Sequence, residues 1–188
     1  ERVFDNITKD DYNVLLFYDY TYPSFDFSQI DIKKYQQKYL ICWSMGVYVS
    51  SLFSQYFQNF DKKIAINGTL KIIDDKKGIP EKIYESMINN LNEENFSRFV
   101  KKVFNYNEIS DKTKIDKDIN ELKNELINIG KIKLTDTIKF DKVIISKNDR
   151  IIPTKNQINY WKEKCEYTLI DAAHCPFYEY KSIQDIIC

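Results

Sequence analysis

The chain has 188 residues, with 28 Lys plus Arg against 28 Asp plus Glu, so its formal net charge is zero and it offers no electrostatic footprint for nucleic acid. Hydrophobic residues make up 43% of it, with 14 Tyr and 12 Phe, which suits one domain with a packed core and argues against disorder. No apolar run approaches the ~18 residues of a membrane span, and the single histidine, His174, excludes a multi-histidine metal centre.

The predicted elements alternate between strand and helix. Val14-Leu15-Leu16-Phe17-Tyr18 reads as a first buried strand and Tyr39-Leu40-Ile41-Cys42-Trp43 as a second. Ile64-Ala65-Ile66, Val143-Ile144-Ile145 and Tyr167-Thr168-Leu169-Ile170 follow. Their near-continuous apolar character is that of parallel strands buried on both faces. A helix is expected from Gly46 to Phe57 and another from Lys155 to Lys164, each joining consecutive strands. The expected fold class is therefore α/β, a mostly parallel sheet flanked by helices, in one domain spanning 1–188.

Residues 70–137 break the rhythm. Pro80 suits a helix start, and Ile115, Ile119, Leu122, Leu126 and Ile129 form an apolar stripe at helical spacing. This insertion leaves the carboxyl end of a strand, where α/β sites lie, and is expected to be a helical lid. An ordinary helical subdomain is the alternative.

Cys42-Trp43-Ser44-Met45-Gly46 follows the second strand and opens a helix. It matches the nucleophile elbow G-x-S-x-G with cysteine at the first glycine position. The sharp turn needs small residues two places either side of the serine, and it lifts Oγ above the sheet at the positive end of the next helix. The N–H of Met45 is then the candidate oxyanion donor. Asp149 follows the fourth strand and His174 the fifth, so the order Ser, Asp, His is that of an α/β-hydrolase triad. Asp171, three residues before His174, is a minor alternative for the acid. Cys175 is not the nucleophile, because adjacent side chains on an extended segment point to opposite sides. Cys42, Cys165, Cys175 and Cys188 form no C-x-x-C pair and read as reduced thiols in a cytoplasmic protein.

These residues resemble the BioG type of pimeloyl-[acyl carrier protein] methyl ester esterase of biotin synthesis. The resemblance rests, in order, on Phe17-Tyr18-Asp19-Tyr20, Trp43-Ser44-Met45-Gly46-Val47, Ala65-Ile66-Asn67-Gly68-Thr69, Asp74-Asp75 with Gly78-Ile79-Pro80, Asn148-Asp149-Arg150-Ile151 with Pro153 and Asn156-Gln157, and His174-Cys175-Pro176-Phe177. It implies an α/β-hydrolase fold and hydrolysis of the methyl ester by Ser44, His174 and Asp149, without metal or organic cofactor. It implies acyl carrier protein, bearing a methylated pimeloyl chain, as partner; the chain itself is expected to be a monomer. Arg98, Lys101 and Lys102 share one face of a predicted lid helix and are candidates for docking that acidic carrier, with a solvated basic face as the alternative. Trp43, Phe96 and Phe99 are candidates for binding the acyl chain, although core packing is the favoured role for most of the lid phenylalanines. The resemblance further implies an additional strand and a glycine-containing oxyanion loop upstream of Glu1. Other esterases or thioesterases of short acyl groups, and an inactive hydrolase that binds a partner, remain alternatives at this level.

Overall fold

Four of the five apolar runs become parallel strands. In the computed structural model, which describes residues 4–21, 27, 30–105, 118–135 and 137–188, these are β1 (Tyr39–Trp43), β2 (Lys62–Ile66), β3 (Lys142–Ser146) and β4 (Tyr167–Ile170). They lie side by side in chain order, with Cys42 opposite Ala65, Ala65 opposite Val143 and Ile144 opposite Thr168. Alternation along β2 and β3 feeds two cores. Ile64, Ile66 and Ile144 pack with Tyr84, Ile129 and Ile186, while Ala65, Val143 and Ile145 pack with Phe57, Tyr160 and Trp161. Burial on both faces explains the apolar runs of β2 and β3, whereas β4, at the edge of the sheet, exposes Thr168 and Leu169; the fold class agrees with the sequence expectation.

Val14 to Tyr18 is the correction. It forms no strand, and its side chains are exposed, from 37% at Phe17 to 63% at Tyr18. β-propensity makes a strand only where a neighbour supplies ladder partners. β1 terminates the sheet, and among the described residues no strand pairs with its outer edge.

The helix expected from Gly46 to Phe57 is divided into α1 (Met45–Val49), a 3-10 turn (Ser50–Phe53) and α2 (Ser54–Phe57). Ser50 Oγ donates to the Val47 carbonyl at 3.0 Å, a local bond of the kind that bends helices, beside the β-branched Val47 and Val49.

Between β2 and β3 lie α3 (Glu81–Asn89), α4 (Glu93–Phe104) and α5 (Ile119–Lys131). Pro80 is the N-cap of α3, one place before the expected position. Asn92 caps α4 by accepting from Asn95 N–H, and Asp118 caps α5 from Asn120 and Glu121 N–H. On α5, Ile129 is buried and Ile119, Leu122 and Leu126 are half-buried, while Ile115 lies outside the described residues. Tyr84 Oη donates to the Leu126 carbonyl at 2.7 Å and joins α3 to α5. Beyond β3 come α6 (Thr154–Trp161), which stops short of the expected Lys164, and α7 (Ile183–Ile187), closed by a Ser182–Asp185 capping box. Among the described residues no helix is long and apolar enough to cross a membrane.

The candidate active site at the carboxyl edge of the sheet

The carboxyl ends of β1, β2, β3 and β4 run into Ser44, Asn67, the turn holding Asp149 and the segment holding His174. Ser44 has φ 55° and ψ −123°, a conformation that a residue with a Cβ rarely adopts. The strain is held from several sides. Ser44 N–H donates to Ile66 O on β2 at 2.9 Å, and its carbonyl accepts from Val47 N–H at 3.1 Å. Gly68 makes the close approach possible, since a Cβ there would stand 2.4 Å from Ser44 O and 2.6 Å from Val47 Cγ2. A Cβ on Gly46 would meet the Tyr20 hydroxyl at 2.9 Å, a milder clash, since only the end of that side chain would have to shift. Met45 is the first residue of α1, so helix geometry leaves its N–H without an intrahelical acceptor.

The structure brings Ser44, His174 and Asp149 together. Ser44 Oγ lies 2.8 Å from His174 Nε2, and His174 Nδ1 lies 2.8 Å from Asp149 Oδ2. The carboxylate only accepts, so the Nδ1 proton belongs on this bond and Nε2 is left to accept from the serine. His174 is 2% exposed and the Asp149 side chain fully buried. That buried charge is compensated by its donors: Ile151 and Ile152 N–H reach Oδ1 at 2.8 and 2.9 Å, and Gln157 Nε2 reaches Oδ2 at 2.8 Å. Asp171 is no rival here, for it is exposed and accepts from Asn148 Nδ2 at 2.7 Å.

The backbone of His174 is held as firmly as its ring. Its carbonyl accepts from Trp43 Nε1 and Asn67 Nδ2, both at 2.8 Å. Asn67 is completely buried at φ 48°, and its Oδ1 accepts from Ser146 N–H at 2.7 Å. One amide therefore ties the ends of β2 and β3 to the histidine segment. Trp43, expected at the acyl chain, directs its indole N–H to that segment and packs its ring against His174 and Phe177, at 5.4 and 5.5 Å between centroids.

Asn67 and Gln157 have roles that the motif reading did not assign. Their only signal in the sequence was membership of the Ala65–Thr69 and Asn156–Gln157 segments. Phe96 and Phe99 stack on α4 at 6.2 Å, and Phe99 packs against the core. Arg98, Lys101 and Lys102 are exposed on α4, Arg98 paired with Glu94 one turn earlier. The same helix touches the site, since Cys175 N–H donates to Val103 O at 3.0 Å.

Burial pushes the Cys42 and Cys175 thiols from 9.0 up to about 12. Iodoacetamide at about pH 8 is expected to modify the exposed Cys188 of the native protein and spare both, as peptide mass spectrometry would read. Carbamidomethylated Cys175 in folded protein would contradict this. A raised pKa means that the folded state holds the proton more tightly. The stabilisation is therefore complete below 9.0 and is lost as pH rises toward about 12, so Tm should decline across that window.

Comparison with known proteins assigns the lineage. The model of the family described as "Pimeloyl-ACP methyl esterase BioG" matches residues 2–185. The crystal structure of BioG from Haemophilus influenzae is 25% identical, with a TM-score of 0.84 over 100% of this chain and 88% of that one. The malonyl-[acyl-carrier protein] O-methyltransferase of Bacteroides fragilis is 35% identical over 167 residues, 82% of this chain, which spans only 33% of that protein's length. The 2-hydroxy-6-oxo-6-phenylhexa-2,4-dienoate hydrolase of a Rhodococcus strain shares the fold, at 13% identity and a TM-score of 0.52 over 74% of this chain and 58% of that one. With a family match that runs from end to end of the fold and of the site just described, the chain belongs to the pimeloyl-ACP methyl esterase BioG family.

Proposed function

We propose that this chain hydrolyses the methyl ester at the distal end of a pimeloyl group carried on acyl carrier protein, a step of biotin synthesis, with Ser44 as nucleophile. The observation that carries the reading is the hydrogen-bonded line from Ser44 Oγ through His174 to Asp149, in a member of the BioG family.

Ser44 Oγ attacks the ester carbonyl as His174 Nε2 takes its proton, and the Met45 N–H receives the oxyanion. The tetrahedral intermediate collapses, and His174 gives the proton to departing methanol. Water, deprotonated by the same nitrogen, then attacks the acyl-serine, and the imidazolium returns the proton to Ser44 Oγ as the free carboxylate leaves. Asp149 supports the imidazolium throughout. Each step draws on these side chains and water alone.

Residues 70–137 act in this reading as a lid, with Phe96 and Phe99 facing the acyl chain and Arg98, Lys101 and Lys102 receiving the acidic carrier. The contact between Val103 O and Cys175 N–H supports a lid seated on the site. The exposure of Lys101 and Lys102 supports docking, since both remain open to a partner surface.

The decisive assay is methanol release by the purified protein from the methyl ester of pimeloyl carrier protein. A folded sample without turnover would sink the proposal. A panel of other esters and of acyl thioesters should be poorer substrates, and a preference for thioesters would redirect the assignment. The double variant Lys101→Glu, Lys102→Glu should raise KM for the carrier-borne ester about tenfold, more at low salt, while a small free ester is hydrolysed as before.

A further inference from the structure

Gln157 is fully buried in α6, eight residues beyond Asp149. Its Nε2 donates to Asp149 Oδ2 and to the Ile152 carbonyl, each at 2.8 Å. Its Oε1 is the one buried side-chain polar atom without a hydrogen-bond partner among the described residues. Turning the amide over would not cure this, because Oε1 would then face a carboxylate oxygen and a carbonyl oxygen, and both only accept. Asp149 and Ile152 thus impose the orientation, and an unsatisfied oxygen is kept in the interior as its consequence. Methionine would fill the same space without that cost, so packing does not account for an amide here.

We propose that Gln157 is a positioning residue of this esterase, its amide N–H fixing the Asp149 carboxylate so that Oδ2 stays aimed at His174 Nδ1. The inference rests on the triad reading given above. Ile151 and Ile152 N–H pin Oδ1 but leave the other oxygen free to swing about it. Gln157 pins that second oxygen, the one that meets the imidazole. The carboxylate is then in place when the imidazolium forms, with no reorganisation during the reaction.

Gln157→Met is expected to lower kcat on the carrier-borne methyl ester by about tenfold, the value of one hydrogen bond to a charged group, with KM changed less than about twofold. Gln157→Glu keeps the shape and supplies a different test. The ionisable groups joined to this position are Asp149, in direct contact, and His174, which shares Oδ2. Burial and the neighbouring carboxylate favour the protonated glutamic acid, whose single O–H can replace the donation to Asp149 Oδ2 while the one to the Ile152 carbonyl is lost. Activity should survive near neutral pH and fall as pH rises, a limb that the wild-type profile lacks over the same range.

The measurement is kcat and KM between about pH 6 and 10 for wild type, Gln157→Met and Gln157→Glu, with circular dichroism and fluorophosphonate labelling of Ser44 alongside. A folded Gln157→Met with wild-type kcat, or a Gln157→Glu profile that superimposes on wild type, overturns the proposal. If Gln157→Met does not fold, the Gln157→Glu profile decides. Labelled wild type with indifferent variants removes only the role of Gln157, whereas unlabelled wild type removes the triad reading and this proposal with it.

Discussion

Ser44→Ala is expected to abolish fluorophosphonate labelling and to reduce kcat for methyl ester hydrolysis by on the order of 10⁵-fold or more, because the acyl-enzyme path is lost as a whole. Intact-protein mass spectrometry and methanol release check the two parts. Equal labelling of wild type and variant would dismiss the elbow assignment. Stability should move differently from activity. With φ 55° and ψ −123°, position 44 stores strain of about 1–3 kcal/mol that any Cβ shares. Ser44→Gly releases it, against ~0.5–1 kcal/mol of extra chain entropy, so it should melt above Ser44→Ala while equally inactive. A residue at an interior helical position would show the opposite order.

Asp149→Asn carries the second large effect, and the reason lies in its four donors. Ile151 and Ile152 N–H occupy one oxygen, while Gln157 Nε2 and His174 Nδ1 occupy the other. An asparagine amide has one oxygen, so whichever way it turns, its NH₂ meets two donors. His174 can relieve one clash only by moving its proton to Nε2, the nitrogen that must accept from Ser44. That tautomer cannot take the serine proton, and kcat should fall by about 10³–10⁴-fold. The remaining unsatisfied donors cost on the order of 1–3 kcal/mol each in so buried a place, so Tm should fall as well. A variant that retained both kcat and Tm would show that Asp149 is not the acid partner of His174.

Much of this site is legible in the chain because it is written locally. The elbow from Cys42 to Gly46 states strand, turn and helix within a few residues, and the turn's needs are visible in residue size alone. Asp149 and His174 each follow a short apolar run, which places them at the same sheet edge once the runs are parallel. Val14 to Tyr18 shows the limit of that logic. Its residues have the composition of a buried strand, but a strand is a relation between two segments, and among the described residues the sheet consists of β1 to β4 without it. Trp43 shows another limit. Its indole N–H donates to the carbonyl of a residue 131 positions away, a contact that chain order alone does not announce.

The sequence by itself determined the parallel α/β class, the elbow and the order Ser44, Asp149, His174, since periodicity, turn chemistry and chain order are properties of short segments and their succession. Which polar residues hold Ser44, His174 and Asp149 in place depends on how distant strand ends meet in three dimensions. Asn67 and Gln157 look like ordinary loop and helix amides in the chain. They become a clamp on the His174 backbone and a second tether on Asp149 because burial obliges each N–H to find an acceptor, and the nearest acceptors come from other strand ends.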